Sequence, residues 1–497
     1  MSFSSFYIGA TGMKTHAAGL QVVGNNLANV NTVGYKESAY RFENLMAKDS
    51  SHGSTLKRSG SSGQGVGLQT VATDFSQGSL LSTNTVTDVS ISGKGFYGVS
   101  DLGDIFYTRA GNFRFNTQGQ LVDPHGYVVQ GTAGDIQLAM VNGEPAPMDP
   151  QATSQAEIMT NLSGGDNSGS GSTDPFFGLF ANWDGSSTAN PGLATGTYAY
   201  ADSIRVYDDA GTGHDLTVHY DLVNSSSLSG AGSTQYWEYL VSIDPSEDGR
   251  AGLAGTSNAG LLMTGTMAFN TAGALQTMSA FSYSGTGSAA SLSNWTPATP
   301  VNGSFQVSPT YVSSAATPIS LNFGLTLTGA AGAAPTSAAT VGADPDNLPD
   351  YSGSPTSVST TAYQGSSSTL RLDQDGYPEG YLQNISITTD GVIVGRYSNS
   401  QSQDLAQFQL YRFPSEYNLH REGSNLFSES LTSGTAITGT PGDAGFGEIQ
   451  ANTLENSNVD MAREFVIMIS TQRGFQANSK IITTSDTMLQ TAVNLKR

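Results

Sequence analysis

From the start of the chain, apolar and small residues recur in alternating steps of four and three, at Phe6, Ala10, Met13, Ala17, Leu20, Gly24 and Leu27. The rhythm returns at the far end, at Phe465, Met468, Gln472, Phe475, Ser479, Ile482, Asp486, Leu489 and Val493. Steps of this kind keep one stripe on one helix face, the seam of a coiled coil. Gly24 interrupts the first seam, and Gln472, Ser479 and Asp486 interrupt the second, so each helix needs the other to complete it. A long helix with bare apolar positions also needs a partner surface. The plain alternative is two amphipathic helices laid on a globular core. The position of the seams at the extreme termini favours helices that order and meet when copies assemble. Asn29, Asn31 and Gly34 supply stop signals for the first helix. Ser457 with Asp460 reads as a capping box opening a second helix over about 458–495, roughly 57 Å long at 1.5 Å per residue.

Between the helices the pattern is β-like. The expected fold is mainly β with α-helical termini, multidomain with a nested insertion, the terminal helices forming a coiled coil and β-barrel- or sandwich-like modules lying between them. Residues 1–34 and 455–497 form the helical domain, and 35–75 with 440–454 an extended linker or arm. Residues 76–150 and 361–439 form a middle β-domain, and 151–360 an inserted outer β-domain of one or two modules. The arm contains the glycine-rich run 59–67, a candidate hinge. Strands are expected at Ser203–Tyr207, Leu216–Leu222 and Tyr236–Ile243, and turns at Asp375-Gly376 and Asp390-Gly391. The stretch 328–361, poor in large apolar residues, reads as a loop or linker.

Composition removes several classes of function. Twenty basic residues face 41 acidic ones, a net charge of −21, and no Lys/Arg cluster exists to neutralise phosphates or anionic lipid. Nucleic acid is therefore not an expected partner. There is no cysteine, which excludes disulfides and thiolate chemistry. The amino terminus lacks a basic region followed by an apolar core, so no Sec-type signal is expected. The longest apolar run of the C-terminal helix, Phe465 to Ile469, is far short of the roughly 20 residues that span a bilayer, so no membrane insertion is expected either.

Six histidines are scattered along the chain. His214 and His219 lie five apart on an expected strand and face opposite sides, a poor geometry for one metal. Asp373-Gln-Asp375-Gly376 lacks the remaining ligands of a calcium loop and reads as a turn, as does Asp344-Pro-Asp346. The chain contains no nucleophile elbow, phosphate loop or zinc-protease motif. No catalytic, metal or cofactor site is expected.

The motifs at both ends carry a family resemblance. Asn25, Asn26, Asn29, Asn31, Thr32, Gly34 and Tyr35, within Asn25-Asn-Leu-Ala-Asn-Val-Asn-Thr-Val-Gly-Tyr-Lys36, resemble the motif near the start of flagellar rod and hook proteins. Gly93, Gly95 and Phe96, then Tyr107, Thr108, Arg109 and Gly111, resemble that family's shared β-domain. Ser457, Asn458, Val459 and Asp460, with Gln472 and Arg473, resemble its C-terminal helix. The segment Phe413–Leu419 departs from the shorter turn that relatives have. Within the family the long insert distinguishes hook from rod.

The resemblance implies a structural subunit that polymerises with itself into a curved, flexible tube around an export channel, a universal joint carrying torque from rod to filament. Terminal residues Phe6, Ala10, Met13, Ala17, Leu20, Leu27, Phe465, Met468, Phe475, Ile482, Leu489 and Val493 would form the assembly interface. The implied partners are the distal rod protein, the hook cap, the hook–filament junction protein and the flagellar type III export apparatus. The implied location is extracellular, in the flagellum, reached without a cleaved signal. A distal rod subunit of the same family and a secreted β-rich adhesin or surface-layer protein are the alternatives.

Overall fold

The structure, a computed structural model, describes residues 2–45, 48–49, 61–163, 174–187, 192–230, 232, 234–285, 288–312, 314–330 and 332–494. The chain divides into two compact units, residues 1–146 with 381–497, and residues 147–380. It is mostly β, with a long helix at each end and several sheets, none closed into a barrel among the described residues.

In the first unit, the N-terminal helix Ser2–Ala28 and the C-terminal helix Met461–Asn494 pack on one another. They run antiparallel in constant register: Gly9 lies against Ile482, Gly12 against Asn478, and Gly474 against His16. The C-terminal helix starts at Met461, three residues after the expected 458, and its cap is Asp460 alone. The Asp460 carboxylate accepts from the amides of Ala462 at 2.8 Å and Arg463 at 3.3 Å. Ser457 instead closes its own tight turn onto the amide of Val459.

The expected arm is largely a β-hairpin. Ser38–Asn44 pairs antiparallel with Val66–Thr73, and Tyr40 and Phe42 lie on the helices: Tyr40 packs on Gly19 and Phe42 edge-on to His16. Residues 46–47 and 50–60, including Ser59 and Gly60 of the proposed hinge, lie outside the described residues. Gly65 and Gly67 are held, Gly65 against Thr11 and Gly67 inside the hairpin.

Beside the hairpin, a ten-stranded sheet is built around the hairpin Phe96–Asp101 and Asp104–Thr108. Strands from both ends of the sequence join it or pair nearby: Leu426–Ser428 with Asp104–Thr108, Glu448–Ala451 with Val89–Ser92, and Thr453–Glu455 with Leu80–Ser82. Its core contains Val89, Ile91, Tyr97, Val99, Phe113, Phe408 and Ile449. The divergent segment contributes Phe413 to an aromatic cluster with Phe96, Tyr107, Tyr411 and Phe427.

In the second unit two sheets share a core. An antiparallel sheet runs Tyr200–Tyr207, Gly213–Leu222, Gln235–Ser242, Leu261–Phe269, Leu275–Tyr283, Tyr351–Pro355 and Leu325–Ala330, with Trp295–Pro297 on its side. A second sheet orders Phe305–Val307, Ile319–Asn322, Gln155–Asn161 and Ser368–Gln374. Ile158, Phe305 and Leu321 from the second meet Val218, Trp237 and Met263 from the first in one cluster. Two expectations are corrected here. The stretch 328–361 carries strand residues that pair Leu325–Ala330 with Tyr351–Pro355, and its Ala338, Val341 and Leu348 are buried in a hydrophobic cluster. Residues 361–380, expected in the middle domain, belong to this unit, because Ser368–Gln374 completes its second sheet.

Candidate assembly surface

The helix pair reverses the expected distribution of large and small side chains. On the N-terminal helix the buried positions are Gly9, Gly12, Thr15, Gly19, Val23 and Asn26. On the C-terminal helix they are Glu464, Thr471 and Ser485. The seam between the helices is therefore made of small and polar residues, which let the backbones approach closely. A Cβ on Gly12 would fall 2.5 Å from Asn478 Oδ1, and one on Gly474 would fall 2.5 Å from His16 Cε1. Three polar members bond back to their own helix: Thr15 Oγ1 donates to the Thr11 carbonyl, Thr471 Oγ1 to that of Ile467, and Asn478 Nδ2 to that of Gly474. Glu464, beside Asn26, has its carboxyl raised above the ordinary value by burial, offset in part by that amide.

Of the residues expected in the seam, Ile482 meets Gly9 within it, and the others are not fully buried. Ala10, Met13, Ala17, Leu20 and Leu27, with Met468, Phe475, Ile482 and Leu489, are half-buried, while Phe6, Phe465 and Val493 are exposed. The exposed set extends to Tyr7, Ile8, Met461, Val466, Ile469, Ile481 and Met488, with Val466 at 68%. Spacing alone weighs apolar size, whereas two helices in close contact select for small side chains. Charge on the two helices is low and inverted relative to the chain: Lys14, Arg463, Arg473 and Lys480 accompany the exposed Asp486 and the buried Glu464.

The family motifs converge at the base of the helix pair. Asn26 pins the turn after its helix: its side chain donates to the Ser38 carbonyl at 2.9 Å and accepts from the Ser38 amide and the Tyr35 hydroxyl. Asn25 donates to the same hydroxyl, and Asn29 back to the Asn25 carbonyl. Thr32 bonds Asn29, while Asn31 is exposed in the turn. Gly34, at φ +69°, donates its amide to the Glu455 carbonyl and packs so closely on Arg109 and Ala110 that a Cβ would lie 2.5 Å from an amide nitrogen.

Below this turn, Lys36 Nζ lies 2.5 Å from Glu455 Oε1, with both side chains fully buried. Glu455 also accepts from the Gly78 amide and faces Arg109 at 3.5 Å. Arg109 in turn donates to the Gly93 carbonyl. Burial pulls the Lys36 ammonium below its ordinary value, opposed by the attraction of Glu455. Asn458 accepts from the Glu37 amide and donates to the Asp74 carbonyl, with Val459 buried beside it.

Other motif residues support the sheet. Gly93 and Gly95 have left-handed backbones, Gly111 sits against the Val89 carbonyl, and Thr108 Oγ1 accepts from the Ala110 amide. Phe96 packs under Arg109, and Tyr107 donates to Glu429 at 2.7 Å. Gln472 and Arg473 are not part of this junction and lie exposed on the C-terminal helix. Glu455, Arg421 and Asn425 complete the junction from outside the expected site residues. Arg421 holds the Lys36 carbonyl and Asn425 that of Val33. No spacing pattern connects such distant residues.

Chemistry elsewhere is used internally. His214 is stacked on Tyr311 at 3.6 Å between Asp208 and Glu247, whereas His219 packs against Tyr198. Asp375 accepts from Ser154 and Gln155, and Asp344 caps a short turn through the Asp346 amide. Among the described residues no group of three or more His, Asp or Glu is placed to hold a metal. No described helix is long and apolar enough to cross a membrane.

Four family models match in sequence. They are a flagella basal body rod protein at 6–36, the flagellar hook protein FlgE/F/G D1 domain at 90–159, the flagellar basal body protein FlaE D2 domain at 182–377, and the flagellar basal body rod FlgEFG protein C-terminal region at 450–495. The flagellar hook protein FlgE of Treponema pallidum is 31% identical over 99% of this chain and 99% of its own length. That of Borreliella burgdorferi is 32% identical over the same shares, and that of Salmonella typhimurium 29% over the whole of both chains. A junction built from both ends of the sequence, and relatives that match from end to end, lead to one assignment: the chain belongs to the flagellar hook protein FlgE family.

Proposed function

We propose that this chain is the structural subunit of the flagellar hook, self-assembling through the outer face of its helix pair into a curved, flexible tube. The observation that carries this reading is the division between the two faces. The inner seam is closed by glycine and small polar residues, while Phe465, Val466, Ile469 and Val493 remain outside. Leaving that much apolar surface in water is unfavourable at about 25 cal/mol per Å², and packing many copies side by side removes the penalty. The near absence of carboxylates on the helices lets copies of an acidic chain approach there.

In the tube, the helices form the inner layer, with exposed Gln21, Asn25, Gln490 and Asn494 lining a polar export channel. The Phe96–Thr108 sheet forms the middle layer and the insert the outer one, whose Ser- and Thr-rich, wet contacts permit sliding as the joint bends. The distal rod protein lies below, the cap above during growth, and the junction protein at the far end. The subunit reaches this extracellular position through the flagellar type III apparatus without signal cleavage. The role is structural and requires no cofactor.

Negative-stain microscopy of the purified protein is the direct test. Curved tubes are expected from the full chain and none from a chain lacking the last 30 residues. A folded full-length protein that forms no tubes at any concentration would contradict the reading.

A further inference from the structure

Among the described residues, seven non-glycine positions have a left-handed backbone, and six of them are Asn or Ser. The seventh is Leu102, at φ +52°. It sits with Gly103 at the tip of the hairpin Phe96–Asp101 and Asp104–Thr108, closed by the pair Asp101 and Asp104. Two other tight turns of the chain, Asn142-Gly143 and Asn302-Gly303, bend the same way with the residue this backbone prefers. Leu102 therefore occupies a position where a hydrocarbon side chain is conformationally disfavoured. It is also fully exposed. Scattered exposed leucines are ordinary, but strain and complete exposure at one tip together mark a side chain kept for contact.

The neighbouring features identify the kind of surface that receives it. Asp101 and Asp104 flank the leucine, so the receiving surface must pair an apolar recess with a cation. The helix pair carries such a site: a shallow, open groove lined by Ser5, Ala477, Lys480, Ile481, Thr484 and Ser485. Ile481 and Lys480 are exposed there, and Lys480 makes no ion pair among the described residues. We infer that the Leu102 tip of one copy seats in the Ala477–Ile481 groove of a second copy, with Asp101 or Asp104 against its Lys480. Because tip and groove are different surfaces, the contact is heterologous and propagates into an open polymer. This inference rests on the hook-subunit reading and names one of its contacts.

The absence of cysteine makes the test direct. Leu102→Cys and Ala477→Cys in one chain, assembled without unsubstituted protein, are joined by oxidation or a short bismaleimide. Cross-linked oligomers are expected from tubes, and none from dilute monomer or either single variant. Leu102→Asn should fold at least as stably, since Asn suits the turn, yet raise the critical concentration for assembly roughly tenfold. Tubes containing the double variant without cross-links, or Leu102→Asn assembling at the original concentration, overturn this contact and leave the hook reading standing. Unsubstituted protein that forms no tubes overturns both.

Discussion

Lys36 and Glu455 stand 419 positions apart in sequence, yet their charged ends meet at 2.5 Å with no exposure to solvent. The pair ties the turn after the N-terminal helix to the strand before the C-terminal one. Ser76 and Gly78 add hydrogen bonds to it, through a carbonyl accepting from Lys36 and an amide donating to Glu455.

Removing Glu455 leaves the Lys36 charge buried without its carboxylate, at a cost of about 3–5 kcal/mol, whereas removing Lys36 leaves Glu455 facing Arg109 at 3.5 Å. Glu455→Gln should lower stability by that order in chemical denaturation, and Lys36→Met by less. The double variant should lose less than the two single losses combined. Strictly additive losses would show that the two groups act independently.

Glycines on one helix face and on the other should respond to alanine with opposite sign. At Gly24 a Cβ meets nothing within 4 Å, so Gly24→Ala should stabilise the monomer by up to about 1 kcal/mol through helix propensity. At Gly474 the same change meets the His16 ring, itself backed by Phe42. Overpacking costs about 1–3 kcal/mol, so Gly474→Ala should destabilise. Thermal unfolding of both variants decides the matter, and equal shifts would refute the close seam.

The insert should lose stability as pH rises. Glu238 is buried beneath the short helix Gly178–Asn182, accepting from the Leu179 amide, and burial raises its carboxyl to about 8. In the unfolded chain it ionises near 4.5. The native state therefore holds a proton that the unfolded state has lost. Its contribution is complete below that lower value and disappears as pH climbs through 8, a decline on the order of 5 kcal/mol. Asp350, raised to about 6 by its own burial, adds to the lower part of this range, so pH 6–8 is the diagnostic window. Glu238→Gln should flatten the decline there, and an unchanged slope would rule out Glu238 as its source.

The fold was legible where the pattern is local. Alternating strands such as Tyr200–Tyr207 and Gly213–Leu222, and helices at both ends, follow from periodicity. The seam was misread by one face because apolar spacing does not reveal that Gly9, Gly12 and Gly474 permit closer contact than Met13 or Phe475 would. The stretch 328–361 read as a linker because Ala338 and Val341 are too small to signal a core. No spacing pattern marks the Lys36–Glu455 pair, whose members stand 419 positions apart. What did point to it was the quoted motifs at each end, which converge in space.

The account depends on the outer helix face being bare in the single chain and covered in the polymer. Val466→Cys, in a chain otherwise free of cysteine, measures this through its rate of maleimide labelling. Rapid reaction in monomer, slowed at least roughly tenfold in assembled tubes, is the expected result. Equal rates in both states, or protection already present in the monomer, would contradict it.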